Sequence, residues 1–268
     1  MGLRKSIAKL LYKDDRPRSK QSEQKDLKFF IDLLKPTPIS YNLLRIGASG
    51  DGGYLIPDDL SDVKYCFSPG VSKIAKFEEQ LAEKYSIKSF LADASVDKPP
   101  VSNDFISFEP KFIGSRDEGD FIRLESWIKS KQEQIDDGDL LLQMDIEGYE
   151  YEVLIDTSVE ALRRFRIMVI EFHALQMVFE SSTLRLLTAI MEKVTREFAV
   201  VHIHPNNCKG VVERNGVAVP KVLEFTFLRK DRILAPKPTE QLVYPHPLDA
   251  KNLPSLPDVT LPDIWWRE

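Results

Sequence analysis

The amino-acid sequence predicts an α/β protein with a mostly parallel sheet and helices on both of its faces. Three observations lead to this fold class. Short apolar runs of strand length occur along the chain, and stretches of helical periodicity alternate with them. Several runs end in turns with glycine or acidic residues, as the run 140–144 does before Asp145-Ile146-Glu147-Gly148. Parallel strands joined through helices by right-handed crossovers produce this order.

The expected strands are apolar runs bounded by turn-forming residues. The run 140–144 follows Asp136-Asp137-Gly138-Asp139 and suits a strand that is buried on both faces. Asn215-Gly216 stands between two valine-rich runs and predicts an additional hairpin. The other strands of the sheet are predicted at 63–67, 87–92, 105–108, 166–172, 198–204 and 222–228.

The expected helices carry apolar residues at helical spacing. Residues 74–85 place Phe77, Leu81 and Tyr85 on one stripe. A helix over 27–34 ends before a proline. The remaining helices are predicted at 124–134, 149–154 and 183–197.

Composition excludes several classes of function. With 268 residues, of which 43% are hydrophobic, the chain can bury one sizeable core. A net charge of −5 argues against a nucleic-acid-binding surface. Cys66 and Cys208 are the only cysteines, which is typical of a reducing compartment. Because no run approaches the roughly 20 apolar residues of a membrane span and no secretion signal is evident, we expect a soluble cytoplasmic protein.

Basic residues are concentrated at the start of the chain. Residues 1–20 contain seven lysines and arginines against two aspartates. They form either a basic tail or a short amphipathic helix that touches a membrane or a partner. We divide the chain into a helical extension over 1–40, a main domain over 41–234, and a proline-rich tail over 235–268 that packs on the domain. The oligomeric state does not follow from the sequence.

The stretch 45–54 has four glycines within seven positions. It lacks the GxxxxGK[ST] pattern of a P-loop and opens no clear helix, which argues against a dinucleotide fingerprint. It is either a tight surface turn or a loop whose backbone approaches a ligand. We take Asp51, Gly53 and Tyr54 as candidate cofactor contacts and Arg45 as a candidate substrate contact.

Gly70 and Asp93 frame a possible nucleoside site. Gly70 lies in the turn after strand 63–67, and Asp93 ends the next strand, 23 positions later. A carboxylate in this position can accept hydrogen bonds from both hydroxyls of a ribose. The pattern is shared by nicotinamide, flavin and S-adenosylmethionine (SAM) proteins, and a single glycine in place of three favours SAM. A merely structural turn is the alternative.

Acidic, imidazole and amide side chains follow three successive strands of the central part of the chain. The residues concerned are Asp145, Glu147, Glu171, His173, His204, Asn206 and Asn207. In an open α/β sheet, neighbouring parallel strands end at one rim, where ligands bind. We therefore expect these side chains to share an active site.

A metal site is one possible use of these groups. A buried acidic cluster without lysine or arginine must take up protons, pair with a cation or bind a metal. Asp145, Glu171 and His204 are the candidate ligands, and Mg²⁺ or Mn²⁺ suits them. We expect His202 in the core, facing away from His204. Glu224, an acid in an apolar strand, is a candidate to join the cluster.

Each of these residues also has a structural interpretation. Asp145 could cap the helix that follows, and Glu147 could favour the positive end of that helix. His173 could be a hydrogen-bonded core histidine. Asn206 and Asn207, after a proline, could be plain turn residues.

The stretch LLQMDIEGYEYEVL, residues 141–154, resembles the signature of the FkbM-type SAM-dependent methyltransferases, in which a lysine often stands in the place of Gln143. The resemblance covers about 45–229. At Ser68-Pro69-Gly70 the sequence departs from the family, whose members commonly have glycine on both sides of this turn. Further matching segments, in the same order, are DGGYLIPDDL, FSPG, KFEEQLAEKY, IEFH, HIHPNN and LEFTFLR.

This resemblance implies a Rossmann-like class I methyltransferase fold with seven strands in the order 3-2-1-4-5-7-6, the last antiparallel. It also implies O-methylation of a hydroxyl of a sugar, glycan or related natural product. By position, Gly70 meets the methionine end of SAM with support from Glu78, Asp93 holds the ribose, and Asp145 lies beside the transferred methyl.

The remaining roles are expectations for the reaction. We expect Asp145, Glu147 and His173 to be catalytic, with His173 or Asp145 as the general base. The candidate substrate contacts are Arg45, Asn206, Asn207 and Glu224. Two other functions compete: a metal-dependent glycosyltransferase that uses Asp145 and Glu147, and a non-catalytic SAM-fold module that binds a glycan or a partner.

Overall fold

The computed structural model describes residues 20–71, 73–233 and 242–267. The expected membrane or partner contact of residues 1–20 falls, apart from Lys20, outside these ranges. The helices are α1 (Gln24–Leu33), α2 (Lys76–Tyr85), α3 (Leu124–Ser130), α4 (Glu150–Asp156), α5 (Val159–Leu162) and α6 (Ser181–Glu197). Within the described ranges, no helix has both the length and the apolar character needed to cross a bilayer.

The described part of the chain contains thirteen strands. They are β1 (Leu43–Gly47), β2 (Gly53–Pro57), β3 (Tyr65–Pro69), β4 (Lys88–Ala92), β5 (Ile106–Glu109), β6 (Phe112–Gly114), β7 (Phe121–Arg123), β8 (Leu140–Met144), β9 (Phe165–Phe172), β10 (Phe198–Pro205), β11 (Val211–Arg214), β12 (Val217–Pro220) and β13 (Leu223–Arg229).

Seven of these strands form the central sheet, in the spatial order β5-β4-β3-β8-β9-β13-β10. Numbered along the chain, this order is 3-2-1-4-5-7-6. Strand β13 runs antiparallel to both of its neighbours, and the other pairs are parallel. The predicted α/β class with a mostly parallel sheet is confirmed.

Strand β8 is buried on both faces, as its apolar run predicts. Leu140, Leu142 and Met144 join one hydrophobic cluster, whereas Leu141 joins another on the opposite face. Alternate residues of a strand face opposite sides, so the sheet separates two cores. Helix α6 packs in the first core and helix α2 in the second.

The glycine-rich stretch forms an antiparallel hairpin of β1 and β2, and strands had not been predicted there. Gly47 has φ of +99°, and a Cβ at this position would lie 2.2 Å from the oxygen of Gly52. A Cβ on Gly53 would lie 1.9 Å from the oxygen of Ala48. These glycines are thus required by close backbone packing. The hairpin predicted at Asn215-Gly216 is confirmed as β11 and β12.

Segments from both ends of the described chain contribute to the first core. Leu27, Phe30 and Ile31 of α1 belong to it, and so does Trp265. The indole nitrogen of Trp265 donates a hydrogen bond to the carbonyl of Ala218 at 2.9 Å. Burial of the aromatic surface with a satisfied N–H anchors the C-terminal segment on the β11–β12 hairpin.

Candidate functional site

The turns after β3 and β8 touch each other at the carboxyl edge of the sheet. Gly70 follows β3 with φ of +89°, and a Cβ there would lie 1.6 Å from the carbonyl oxygen of Asp145. The backbone N–H of Asp145 donates to the carbonyl of Pro69 at 3.3 Å. Only glycine fits this contact, so the turn that the sequence singled out depends on the identity of Gly70.

Two adjoining cavities lie at this contact. The smaller, about 140 Å³, extends toward Glu78. The larger, about 450 Å³, extends toward Asp93. Asp51, Gly70 and Asp145 line both cavities. We refer to the two cavities together as the cleft. Glu78 and Asp93, which the sequence analysis placed at opposite ends of a SAM site, lie at opposite ends of this cleft.

The smaller cavity has a polar wall of buried side chains. The hydroxyl of Ser68 contacts Glu78 and lies 2.7 Å from the side-chain oxygen of Gln143. Gln143 in turn donates to the hydroxyl of Tyr54 at 3.2 Å. Burial raises the pKa of Glu78 to about 7, against the effect of the hydrogen bond from Ser68. Burial also raises the pKa of Tyr54 well above its ordinary value, so this phenol stays neutral.

The larger cavity combines one buried carboxylate with aromatic walls. Oδ1 of Asp93 accepts a hydrogen bond from the backbone N–H of Ser95 at 2.8 Å. The rings of Phe112 and Tyr149 flank that of Phe121 at centroid distances of 5.6 and 5.8 Å. Aromatic side chains beside a buried carboxylate suit a nucleoside. The sequence reasoning missed these rings, because β6 and β7 are too short to show a periodic pattern.

Three of the predicted rim residues, all acidic, surround the imidazole of a fourth, His173. Its Nε2 atom lies 3.4 Å from Oε1 of Glu171, 3.6 Å from Oε2 of Glu147 and 3.8 Å from Oδ1 of Asp145. Glu171 is buried, whereas the side chain of Glu147 is 89% exposed. We call Asp145, Glu147, Glu171 and His173 the rim cluster.

Glu150 contacts His173 on the side away from the other acids, and the sequence reasoning missed it. It has no exposed surface and stands at the start of α4. Its Oε1 accepts hydrogen bonds from the backbone N–H groups of Ile146 at 3.1 Å and Gly148 at 3.2 Å. The same oxygen lies 3.0 Å from Nδ1 of His173. An acid in the first turn of a helix was its only sequence signal, and surface helices share that signal.

The electrostatics of the rim cluster favour uptake of positive charge. Burial raises the pKa of Asp145 to about 7, a shift that His173 opposes and Glu150 reinforces. Burial, followed by the charges of Asp145 and Glu224, holds the pKa of Glu171 well above its ordinary value. Burial alone would lower the pKa of His173, but its hydrogen bond with Glu150 and the surrounding acids raise it.

His204 lies elsewhere, and His173 takes its place in the candidate metal set. One ligand atom each from Asp145, Glu171 and His173 lie within 4.8 Å of one another. Strand β13 separates β10, which carries His204, from β9, which carries Glu171. The prediction of a shared rim took β9 and β10 as neighbours, whereas the strand order implied by the resemblance has the last strand between them.

His202 and His204 lie on the same face of β10, because residues two apart in a strand do so. The expectation that they face apart is wrong. Nε2 of His202 lies 2.9 Å and Nδ1 of His204 lies 3.6 Å from Oδ1 of Asp249. Burial opposes the charging of His204, but Asp249 and Glu224 raise its pKa to about 9. Through Asp249, these two histidines bind the C-terminal segment, residues 242–267, to strand β10.

Two of the predicted substrate residues lie beside the rim cluster. Asn206 donates to Oε1 of Glu171 at 3.1 Å. Glu224 is the register partner of Glu171 and accepts a hydrogen bond from Asn252 at 2.6 Å. Both side chains are buried.

The other predicted contacts have structural partners. Arg45 donates to two carbonyls of the turn between β1 and β2 at 3.0 Å each. Asn207 exchanges two hydrogen bonds with the backbone of Leu253, at 2.9 and 2.8 Å. Gly53 lines neither cavity and serves the hairpin. We do not carry these three residues into the proposed site.

A family comparison agrees with this geometry. The family model described as "Methyltransferase FkbM domain" matches residues 34–198. The chain belongs to the FkbM methyltransferase family. The matched range includes Gly70, Asp93, Asp145, Glu150 and His173, so both cavities and the rim cluster belong to the FkbM domain. A search of curated proteins gives no match.

Two of the solved structures that this FkbM methyltransferase matches are distant. A structure described as a fibrillarin/Nop5p complex is 11% identical, with a TM-score of 0.36, over 62% of this chain and 72% of the other. The methyltransferase CalO6 is 12% identical, with a TM-score of 0.27, over 63% of this chain and 58% of the other. Likeness at this level carries no conclusion about substrate.

Membership of a methyltransferase family implies the use of SAM in general, and the cleft of this FkbM domain fits that cofactor. Gly70 lines both cavities, and the absence of a Cβ lets its backbone pack directly against the carbonyl of Asp145. Asp93 and the aromatic wall suit the adenosine, and the polar side chains near Glu78 suit the amino-acid end.

Proposed function

We propose that this FkbM methyltransferase transfers a methyl group from SAM to a hydroxyl of a sugar, a glycan or a related natural product. One observation carries the proposal: Asp145 lines both parts of the cofactor cleft and belongs to the rim cluster around His173. The donor site and the groups that can activate an acceptor thus share a residue.

The cofactor-binding residues follow from the walls of the cleft. Asp93 holds the ribose, Gly70 lies under the centre of the cofactor, and Glu78 faces its amino-acid end. Asp51 and Tyr54 line the same cavity as Glu78. When bound, SAM supplies an electrophilic methyl group. The protein holds the acceptor oxygen in line with it, and this positioning provides much of the rate.

An alcohol hydroxyl is a weak acid, so its oxygen must be activated. Nδ1 of His173 lies 3.0 Å from Oε1 of Glu150, and the neutral tautomer that donates from Nδ1 to this carboxylate has the lone pair of Nε2 directed at the rim cluster. The acceptor proton can pass to His173 or Asp145, or a cation held by the cluster can lower the pKa of the hydroxyl. Exposed Glu147 can pass the proton on to solvent.

The groups beside the rim cluster favour a neutral polyol over an anionic acceptor. Asn206 and Glu224, buried beside the cluster, add an amide and a further carboxylate but no positive charge. In the described part of the chain, no lysine or arginine forms an ion pair with a rim-cluster acid. The excess of carboxylates repels phosphate, which also disfavours nucleic acid as the acceptor.

The proposal is tested with the purified full chain, tritium-labelled SAM, and panels of neutral sugars, nucleotide sugars and isolated glycans. We expect SAM to bind without a nucleotide sugar and at least one hydroxylated acceptor to gain label. Binding of a nucleotide sugar but not of SAM would instead indicate a glycosyltransferase. SAM binding without transfer to any acceptor would indicate a binding module.

A further inference from the structure

We propose that Asp145, Glu171 and His173 bind one divalent cation of the Mg²⁺ or Mn²⁺ class. The use of this cation in catalysis rests on the proposed function, but its binding does not. Two carboxylate oxygens and one imidazole nitrogen, all within 4.8 Å of one another, can converge on a single ion. Carboxylates with one imidazole suit a hard or borderline cation and do not favour a thiophilic one.

A buried, unpartnered oxygen points independently to a missing ligand. Glu171 is 4% exposed, and its Oε1 accepts a hydrogen bond from Asn206. Its Oε2 is buried and has no hydrogen-bond partner among the residues that the structure describes. Buried carboxylate oxygens are costly without a partner, and a bound cation would provide one.

His173 is held in the orientation that metal-binding histidines adopt. Glu150 contacts its Nδ1 at 3.0 Å, and two backbone N–H groups hold Glu150 in turn. A carboxylate on one ring nitrogen fixes the tautomer and leaves the other nitrogen free to coordinate. The free nitrogen, Nε2, is the one that faces Glu171 and Asp145.

Charge balance also calls for a cation. Four acids, Asp145, Glu147, Glu150 and Glu171, lie within 4 Å of His173. Over the described ranges, none of the four forms an ion pair with lysine or arginine. A divalent ion would neutralise two of these charges. Beside the cofactor cleft, it would also lower the pKa of an acceptor hydroxyl.

Binding of Mn²⁺ to the metal-stripped full chain tests the site without any acceptor. Loss of the free Mn²⁺ signal in electron paramagnetic resonance measures occupancy. We expect one Mn²⁺ per chain. Glu171→Gln, which removes a ligand, should lower the affinity for Mn²⁺ by about tenfold or more. Glu150→Gln, which removes only the support of His173, should lower it by about tenfold. Glu152→Gln, an acid on the same helix as Glu150 that lines neither cavity, is the matched control and should bind Mn²⁺ like the wild type.

Thermal unfolding of each variant shows whether it is folded, and SAM binding is measured on the same samples. An absence of Mn²⁺ binding to the wild type, or equal binding by Glu171→Gln, would overturn the cation site. Retained SAM binding and methyl transfer in that case would leave the proposed function standing. Mn²⁺ binding without SAM binding would support the cation site and overturn the proposed function.

Discussion

Nδ1 of His173 lies 3.0 Å from Oε1 of Glu150, a carboxylate with no exposed surface. Because Glu150 is itself fixed by the backbone N–H groups of the turn after β8, this turn and the start of α4 orient the imidazole that follows β9. This relationship directs Nε2 toward the edge of the cofactor cleft. The contact ties the chemistry of one strand end to the backbone of the next.

Substitution of Glu150 by glutamine should lower the turnover number by about 10- to 100-fold, because supporting groups of this kind contribute that much to activity. Glutamine keeps the shape but loses the charge that stabilises the tautomer of His173. Steady-state kinetics measure the loss. Glu152→Gln, two positions along the same helix, is the control and should behave like the wild type.

Substitution of His173 by alanine should lower the turnover number by about 100-fold or more while SAM affinity changes little. The imidazole contacts the rim cluster and lines neither cofactor cavity. Kinetics and calorimetry on one preparation separate the two effects. An unchanged turnover number would remove His173 from the mechanism. His246→Ala, in the C-terminal segment, serves as the histidine control.

Gly70→Ala should destabilise the fold and abolish SAM binding. The left-handed backbone alone costs a residue with a Cβ about 1–3 kcal/mol. The new Cβ would also overlap the carbonyl oxygen of Asp145 at 1.6 Å. Urea unfolding measures the total. Gly210→Ala is the control, because Gly210 has φ of +68° with open space around it. An equal loss of unfolding free energy in both variants would mean that the contact with Asp145 does not contribute to stability.

Glu78 should make the folded protein less stable as the pH rises. Burial raises its pKa from 4.5 to about 7, so the folded state holds a proton that the unfolded chain has released. This contribution is therefore complete below about pH 4.5 and lost by about pH 8, a change of about 3 kcal/mol. Urea unfolding across this range should show Glu78→Gln gaining stability relative to the wild type. A constant difference would show that Glu78 keeps an ordinary pKa.

Much of the fold followed from local patterns in the sequence. A strand buried on both faces requires apolar residues throughout, so the run 140–144 was recognisable as a strand. Asn215-Gly216 is typical of a hairpin turn and predicted the pairing of β11 with β12. The meeting of Asp145 with Glu171 and His173 was also predictable, because β8 and β9 are parallel neighbours whose carboxyl ends share an edge.

The features that were missed depend on long-range order. The insertion of β13 between β9 and β10 follows from no local pattern near His204, and only the strand order implied by the family resemblance contains it. Glu150 looks like an ordinary acid of a surface helix until the fold buries it. The partners of Asn207 come from residues about 50 positions later, and no local pattern specifies such contacts.

The central claim is that the cleft between Gly70 and Asp93 holds SAM next to the rim cluster. Calorimetric titration of the full chain with SAM tests it most directly. We expect one SAM per chain, an affinity at least about tenfold weaker in Asp93→Ala because the ribose loses its carboxylate partner, and an affinity near that of the wild type in His173→Ala. A wild-type chain that does not bind SAM, or an Asp93→Ala variant that binds it equally well, would contradict the account.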